Sequence, residues 1–389
     1  MAFGIYVHIP FCSRRCDYCD FATWVGREDL VEEYVNSVVR QLNFQIEHFR
    51  IDQGSEVSSI FFGGGTPNLI EEKHISDIIS AVANELSISK QTEITVECNP
   101  DHVTQNQMDN YFRAGVNRIS MGVQSSDQNV LNYLGREHDT EHVLQAREYI
   151  SASGISNLNA DLIYGSPVES LESWNKSLEF LISLDVNHIS AYALGVESGT
   201  PLGRSISLGE KQTTDEDDLA NKYELAEKIL SENGFTWYEI SNWSQAGRQS
   251  VHNLTYWRGG NIIALGCAAH GVHNDIRYST PRNIEKYLEK VSQLRNPSKL
   301  NSDYLIKDKQ NSSIGKSEEL FALKLRTRDG VSWPLDKESE LLKSYIEENF
   351  VLENIDNSTI YLDVKGRLMA NRITIDLFEE YSKLISGVQ

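Results

Sequence analysis

Residues 6–21 read YVHIPFCSRRCDYCDF and set Cys12, Cys16 and Cys19 in a CxxxCxxC array near the start of a chain of 389 residues. Three close thiols are metal ligands before they are anything else, because thiolates are the soft donors that zinc and iron–sulfur clusters select. Zinc in a closed structural site takes four protein ligands, whereas an iron–sulfur cube held by three cysteines keeps one iron open for a small molecule. The spacing points to a [4Fe–4S] cluster with a vacant coordination site. A zinc knuckle completed by His8 or a distant cysteine, and a redox thiol pair, stay open as readings of the same residues.

Outward from this array, short β-rich runs over 4–9, 58–62, 93–97, 117–123, 157–163 and 188–193 alternate with helical periodicity over 29–49, 71–86, 105–114, 141–153 and 171–184. Six βα units in series predict a parallel sheet, which right-handed crossovers bend toward a barrel or wind doubly. The unusual residues favour the barrel. The cysteines follow the first strand, Gly63-Gly64-Gly65-Thr66-Pro67 follow the second and Glu97 closes the third; Gln124 follows the fourth and Asp161 lies in the fifth. All sit toward the C-terminal ends of their strands, the face where a parallel barrel builds its site. The expected fold class is α/β, a partial (β/α)6 barrel with a small C-terminal α+β, winged-helix-like domain.

After the sixth strand come a turn at 197–201, a helix over 215–233, a strand over 235–240 and a glycine- and aromatic-rich tract over 243–273. The polar stretch 296–316 reads as a linker. Beyond it, helical patterns over 318–325, 337–349 and 368–385, with a hairpin before the last, follow the order of a winged helix. The expected division is a barrel over 1–240, its extension over 241–295, the linker and a C-terminal domain over 317–389.

A formal charge of −20 argues against non-specific nucleic-acid binding, which depends on Lys and Arg neutralising phosphates. The Glu-rich C-terminal unit accordingly reads as a lid or docking unit, with DNA binding as its competitor. Five cysteines, three of them clustered, do not make a secreted disulfide scaffold, and a reducing cytoplasm suits a low-potential cluster. No signal-peptide pattern and no apolar run of roughly 20 residues is seen, so a soluble cytoplasmic protein is expected.

A cluster with an open iron can bind the amino and carboxylate groups of a methionine-like ligand and bring its sulfonium within reach of an electron. The CxxxCxxC loop, the GGGTP turn and the barrel pattern closely resemble the radical S-adenosylmethionine superfamily over at least residues 6–270. The strings YVHIPFC, GGGTP, ECNP, NRISMGVQS, DLIYGSP, HNLTYW and LRTRDGV resemble, within it, the oxygen-independent coproporphyrinogen III oxidase group. The resemblance implies that Cys12, Cys16 and Cys19 hold the cluster. It implies that Tyr6, Tyr18, Gly64, Gly65, Thr66, Glu97, Gln124, Arg136, Asp161 and Gly195 contact S-adenosylmethionine.

The chain departs from the oxidase pattern CxxxCxxCxC, since Phe21 occupies the fourth cysteine position, and only five residues precede Tyr6. Both departures match the HemW-type branch, whose members are regarded as heme chaperones and carry HNxxYW, here His252, Asn253, Leu254, Thr255, Tyr256 and Trp257. An imidazole can serve as an axial iron ligand, and Tyr and Trp can wall a porphyrin face. His252 is therefore the implied heme ligand, with His8, His270, His273 and Cys267 as alternatives. The function implied is a heme chaperone that uses the cluster and S-adenosylmethionine and transfers heme to an acceptor protein. Its implied partners are a membrane respiratory hemoprotein, an electron donor and a second copy of the chain. The alternative is oxidative decarboxylation of coproporphyrinogen III propionates, against which Phe21 argues.

Overall fold

Alternation of apolar and polar residues along each strand gives this protein a sheet with one oily and one polar face. In the computed structural model, which describes residues 2–294, 306–307, 313–334 and 339–386, the strands β1 (Phe3–Ile9), β2 (Val57–Gly64), β3 (Glu93–Cys98), β4 (Arg118–Gln124), β5 (Asn157–Tyr164) and β6 (His188–Ala193) lie side by side and parallel. Ile5, Val7, Ile60, Phe62, Ile94, Val96, Ile119, Met121, Leu158 and Ala160 bury on one face in a single core. That core includes the apolar stripes of the crossover helices α1 (Val31–His48), α2 (Glu72–Glu85), α3 (Gln105–Arg113), α5 (Thr140–Ser153) and α6 (Leu171–Ser183); the short α4 (Gln128–Leu134) precedes α5. On α1, Tyr34, Val35, Val38 and Leu42 recur at helical spacing and are fully or almost fully buried. Each such side chain is worth about 1.5–3 kcal/mol of burial. The helix starts are fixed locally: Thr104, Asp139 and Ser170 cap α3, α5 and α6 by accepting from backbone N–H groups, and His142 completes a capping box with Asp139.

Beyond the six expected strands the sheet continues on both edges. After α7 (Pro201–Ser207) and α8 (Glu216–Glu232), β7 (Thr236–Glu239) and β8 (Asn242–Ser244) add antiparallel to β6. On the far side, after α9 (Val251–Trp257), the short β9 (Ile262–Leu265) pairs parallel with β1; β10 (His270–His273), β11 (Ile276–Ser279) and β12 (Ile306–Lys307) extend it antiparallel, with α10 (Ile284–Ser292) packed behind. The order is β12-β11-β10-β9-β1-β2-β3-β4-β5-β6-β8-β7. The α/β class and the parallel central order are those read from the sequence. The tract over 243–273, by contrast, holds the end of β8, a helix and two further strands, each too short to show a period.

The C-terminal unit comprises α11 (Ser313–Leu325), β13 (Val331–Ser332), α12 (Glu340–Glu347), β14 (Val351–Asn354), β15 (Thr359–Leu362), α13 (Val364–Leu368) and α14 (Ala370–Ser386). Its three strands are ordered β13-β15-β14 around a core of its own that includes Phe321, Leu325, Trp333, Val351, Ile360, Ile373 and Leu377. It is stitched to the barrel: Ile240 N–H donates to Arg326 O at 3.2 Å and Arg328 N–H to Tyr238 O at 2.9 Å. The buried Arg367 pairs with Glu227 at 2.8 Å and lies over the Trp237 ring. Most of the linker expected over 296–316 falls outside the described residues. Among the described residues, no helix is long and apolar enough to cross a membrane.

Candidate functional site

The polar face of the sheet lines a cavity of about 660 Å³ toward the C-terminal ends of the strands, and the loop after β1 roofs it. A short parallel pair, Phe11–Cys12 with Trp24–Val25, fixes the base of that loop. Cys12, Cys16 and Cys19 are free thiols and all border the cavity. Thr66 Oγ1–H points at Cys12 Sγ and an Arg136 Nη1–H at Cys16 Sγ, each at 3.6 Å. Burial pushes the Cys12 thiol up to about 11, and the neighbouring Cys19 and Cys16 add to the rise. Ionising such a thiol requires a compensating positive centre.

Among the described residues, no three His, Cys, Asp or Glu side chains converge on a single ion position. A cube does not ask for that, since each cysteine takes a different iron. An all-sulfur donor set on one loop, with N–H and O–H groups aimed at the sulfurs, fits a [4Fe–4S] cluster.

The glycine turn after β2 is sewn under this loop by Gly65 N–H to Ile9 O and Thr66 N–H to Phe11 O, both at 2.8 Å. Gly64 has φ +108°, and a Cβ there would stand 2.3 Å from the His8 ring, so no other residue fits without displacement. Gly64 N–H donates to Glu97 Oε2 at 3.1 Å. Burial, and then Asp161, push the Glu97 carboxyl up to about 7. Asp161 is also raised by burial, although Ser120 Oγ–H (3.1 Å) and Asn159 Nδ2–H (2.7 Å) donate to it. Two carboxylates in one enclosed cavity are relieved by a cationic ligand. Gln124 ends β4 at a register shift with φ +66°, and its Oε1 is buried with no partner among the described residues. A strained residue with an orphaned acceptor in a cavity is arranged for something that binds there. These groups fit a ligand carrying an ammonium and a sulfonium.

Tyr18, Gly64, Gly65, Thr66, Glu97, Gln124, Arg136, Asp161 and Gly195 border this cavity with the three cysteines; Tyr6 and His252 do not. They line a second cleft of about 490 Å³, together with Asn253, Tyr256, Trp257, Glu239, His270 and Arg326. Tyr192 and Asn253 border both. The Tyr6 hydroxyl lies 3.2 Å from His8 Nδ1, while His8 Nε2–H donates to Ala22 O at 2.9 Å. Both ring nitrogens of His8 are thus engaged. Of the other alternative ligands, Cys267 is buried against Tyr34, His273 packs on the Phe49 ring and only His270 reaches the cleft.

His252 lies on α9, whose first turn is held by Glu93: its carboxylate accepts from Ser250 Oγ–H and from the N–H groups of Val251 and His252 at 3.0–3.2 Å. The ring sits 5.0 Å from that of Phe61, and Nδ1 is 3.0 Å from Ser59 Oγ. Burial, with the charge of Arg118, lowers His252 to about 3, so its imidazole is neutral. A buried chain of polar groups joins this region to the cavity. Tyr238 OH donates to His188 Nε2 (2.8 Å), His188 Nδ1–H to Asn159 Oδ1 (2.6 Å) and Asn159 Nδ2–H to Asp161. Ser59, Phe61, Glu93, Asn159, His188, Tyr238 and Arg326 were not singled out from the sequence. The signal for most of them was present as polar residues at every second position of β2 to β6.

Residues 6–181 match the radical SAM superfamily. Over 391 aligned positions the chain is 31% identical to heme chaperone HemW of Haemophilus influenzae, a match that spans 96% of this chain and 97% of that one. The chain belongs to the HemW family. A HemW of Mycobacterium tuberculosis is 35% identical over 288 residues, 74% of each chain. Among solved structures, coproporphyrinogen III oxidase (HemN) from Escherichia coli, described as a radical SAM enzyme, superposes with a TM-score of 0.79 at 19% identity, over 96% of this HemW-family chain and 89% of HemN. This chain and HemN share the barrel and its C-terminal extension as a fold. Superfamily membership implies a [4Fe–4S] cluster and S-adenosylmethionine.

Proposed function

We propose that this HemW-family chain binds heme in the cleft around His252 and passes it to an acceptor protein, under the control of a cluster and S-adenosylmethionine in the adjoining cavity. The observation that carries the reading is a neutral imidazole in an aromatic cleft that shares Tyr192 and Asn253 with the cysteine cavity. Neutral imidazole is the form that ligates iron, and His252 Nδ1, engaged with Ser59, leaves Nε2 for that role. Tyr256 and Trp257 offer ring faces to a planar ligand.

In the cavity, Cys12, Cys16 and Cys19 hold the cluster, which when bound supplies an electron to the sulfonium. The carboxylates of Glu97 and Asp161 hold cationic and hydroxyl groups of S-adenosylmethionine. Gln124 offers its free oxygen, Gly64, Gly65 and Thr66 line the close backbone approach, and Tyr18, Arg136 and Gly195 complete the walls. Tyr6 acts one step back, through His8 and the His252 ring. The division at 240, 295 and 316 makes the C-terminal unit a lid that contributes Arg326 to the cleft. A cytoplasmic location, an electron donor, a homodimer and a membrane respiratory hemoprotein as acceptor belong to the same proposal.

Coproporphyrinogen III oxidation is the competing reading, favoured by the shared fold. Phe21 opposes it: in place of a fourth cysteine, a side chain 62% exposed stands at the cavity rim. An anaerobic heme titration of cluster-loaded protein, followed in the Soret region beside a His252→Ala variant, tests the proposal. Saturable binding near one heme per chain, weakened or spectrally altered in the variant, is expected. No saturable binding, with protoporphyrinogen formed from coproporphyrinogen, would transfer the chain to the oxidase reading.

A further inference from the structure

The cleft around His252 receives one cationic side chain from the C-terminal unit. Arg326 follows α11, and its backbone is pinned against β7 by the bonds of Arg326 O with Ile240 and of Arg328 N–H with Tyr238. The ion pair of Arg258 with Asp329, at 2.6 Å, ties the same turn to the end of α9. The guanidinium carbon of Arg326 lies 5.4 Å from the centre of the Trp257 ring, so the last residue of the HNLTYW string serves as a platform for it. Arg326 Nε is buried and has no hydrogen-bond partner among the described residues.

A guanidinium is charged at every accessible pH and carries five N–H donors in a planar fork that matches a carboxylate. Leaving one of these donors buried and unmade is costly unless a ligand completes it. The protein does not complete it here. Glu239, the carboxylate that also lines the cleft, already accepts from Asn242 Nδ2–H and makes no ion pair with Arg326 among the described residues. The remaining walls offer four aromatic rings, the neutral imidazole of His252, His270, Ile262 and the uncharged side chains of Ser241, Asn242 and Asn253. Their complement is a flat aromatic molecule with an anionic group on one edge.

We propose that Arg326 pairs with a carboxylate on the edge of the cleft's ligand, so that the C-terminal unit reads the ionised propionate side of heme while Trp257 holds the guanidinium in register. This rests on the heme reading and adds to it a charge-selecting residue and the ligand edge it contacts.

The test pairs two ligands with three forms of the full-length, cluster-loaded chain: hemin and hemin dimethyl ester, each titrated anaerobically into the unmodified chain, Arg326→Gln and Arg326→Lys. A charge-assisted pair lost on esterification corresponds to roughly tenfold or more in affinity. The unmodified chain is expected to prefer hemin over its ester by about that factor. Arg326→Gln should bind hemin about tenfold more weakly and the ester unchanged, so the preference disappears; Arg326→Lys should retain part of it. Equal binding of both ligands by the unmodified chain overturns the inference and leaves heme binding standing, and it needs no variant to fold. A preference that persists undiminished in a folded Arg326→Gln also overturns it and assigns the anion to another group such as His270. Absence of saturable binding by either ligand overturns the heme reading and this inference together.

Discussion

Glu97→Gln separates what this cavity costs from what it does. The carboxyl is usually half ionised near 4.5; in the folded, ligand-free chain burial and Asp161 raise it to about 7. Below pH ~4.5 the group is neutral in both folded and unfolded states, and no penalty arises. As pH rises from there to about 7 the unfolded chain ionises first, so folding stability falls, and above pH ~7 the full loss applies. At about 1.4 kcal/mol per pH unit of displacement the full loss is about 3.5 kcal/mol. Glutamine keeps an oxygen to accept from Gly64 N–H and carries no charge. Urea denaturation of cluster-free, reduced protein should therefore find Glu97→Gln close to the unmodified chain at pH 5 and more stable at pH 8, the gap widening by about 2–3 kcal/mol. The same variant should bind S-adenosylmethionine at least about tenfold more weakly at pH 8. The unmodified chain should lose up to tenfold in that affinity per unit below pH ~7, and the variant should not. A gap that stays flat between pH 5 and pH 8, or a variant less stable at pH 8, would refute the placement of Glu97 as a carboxylate whose charge the cavity opposes.

Other outcomes follow from the same geometry. Gly64→Ala must place a Cβ 2.3 Å from the His8 ring at φ +108°, and a loss of about 2–4 kcal/mol of unfolding free energy is expected from denaturation curves. Alanine at Cys12, Cys16 or Cys19 should abolish iron and sulfide uptake on anaerobic reconstitution, while Cys98→Ser should leave metal content unchanged, because Cys98 is buried and its thiol bonds to Val96 O. His188→Leu leaves Asn159 Oδ1 and Tyr238 OH without the ring that joins them; about 2–4 kcal/mol of stability and a measurable part of S-adenosylmethionine affinity should go with it, whereas His142→Leu on the exposed surface should spare the affinity.

The six parallel strands were legible because each pairs a period of two with a helix of period 3.6 behind it, and because Cys12, Gly64, Glu97, Gln124 and Asp161 fall at matching strand ends. Depth along a strand was not legible. Tyr6 shares a face with His8 but lies two residues, roughly 7 Å, farther from the cysteine loop, and that places it in the second cleft. Nor was α9: at seven residues it is too short for periodicity, and Glu93, which holds its cap Ser250 and its first-turn N–H groups, lies 157 residues away in sequence from Ser250. β9 has four residues, all buried, and its pairing with β1 and β10 defines it. Arg326 stands in a recognisable string, LRTRDGV, yet its partner Trp257 and its missing hydrogen bond emerge only when the C-terminal unit folds back on β7.

Heme release from the loaded chain to excess apomyoglobin, timed anaerobically on cluster-reconstituted protein with and without S-adenosylmethionine, is the decisive measurement. Cavity and cleft share Tyr192 and Asn253, so the rate should change when S-adenosylmethionine is added, and the change should vanish in Cys12→Ala, which cannot hold the cluster. One unchanging rate in every condition would contradict a chaperone whose heme site answers to its cofactor cavity.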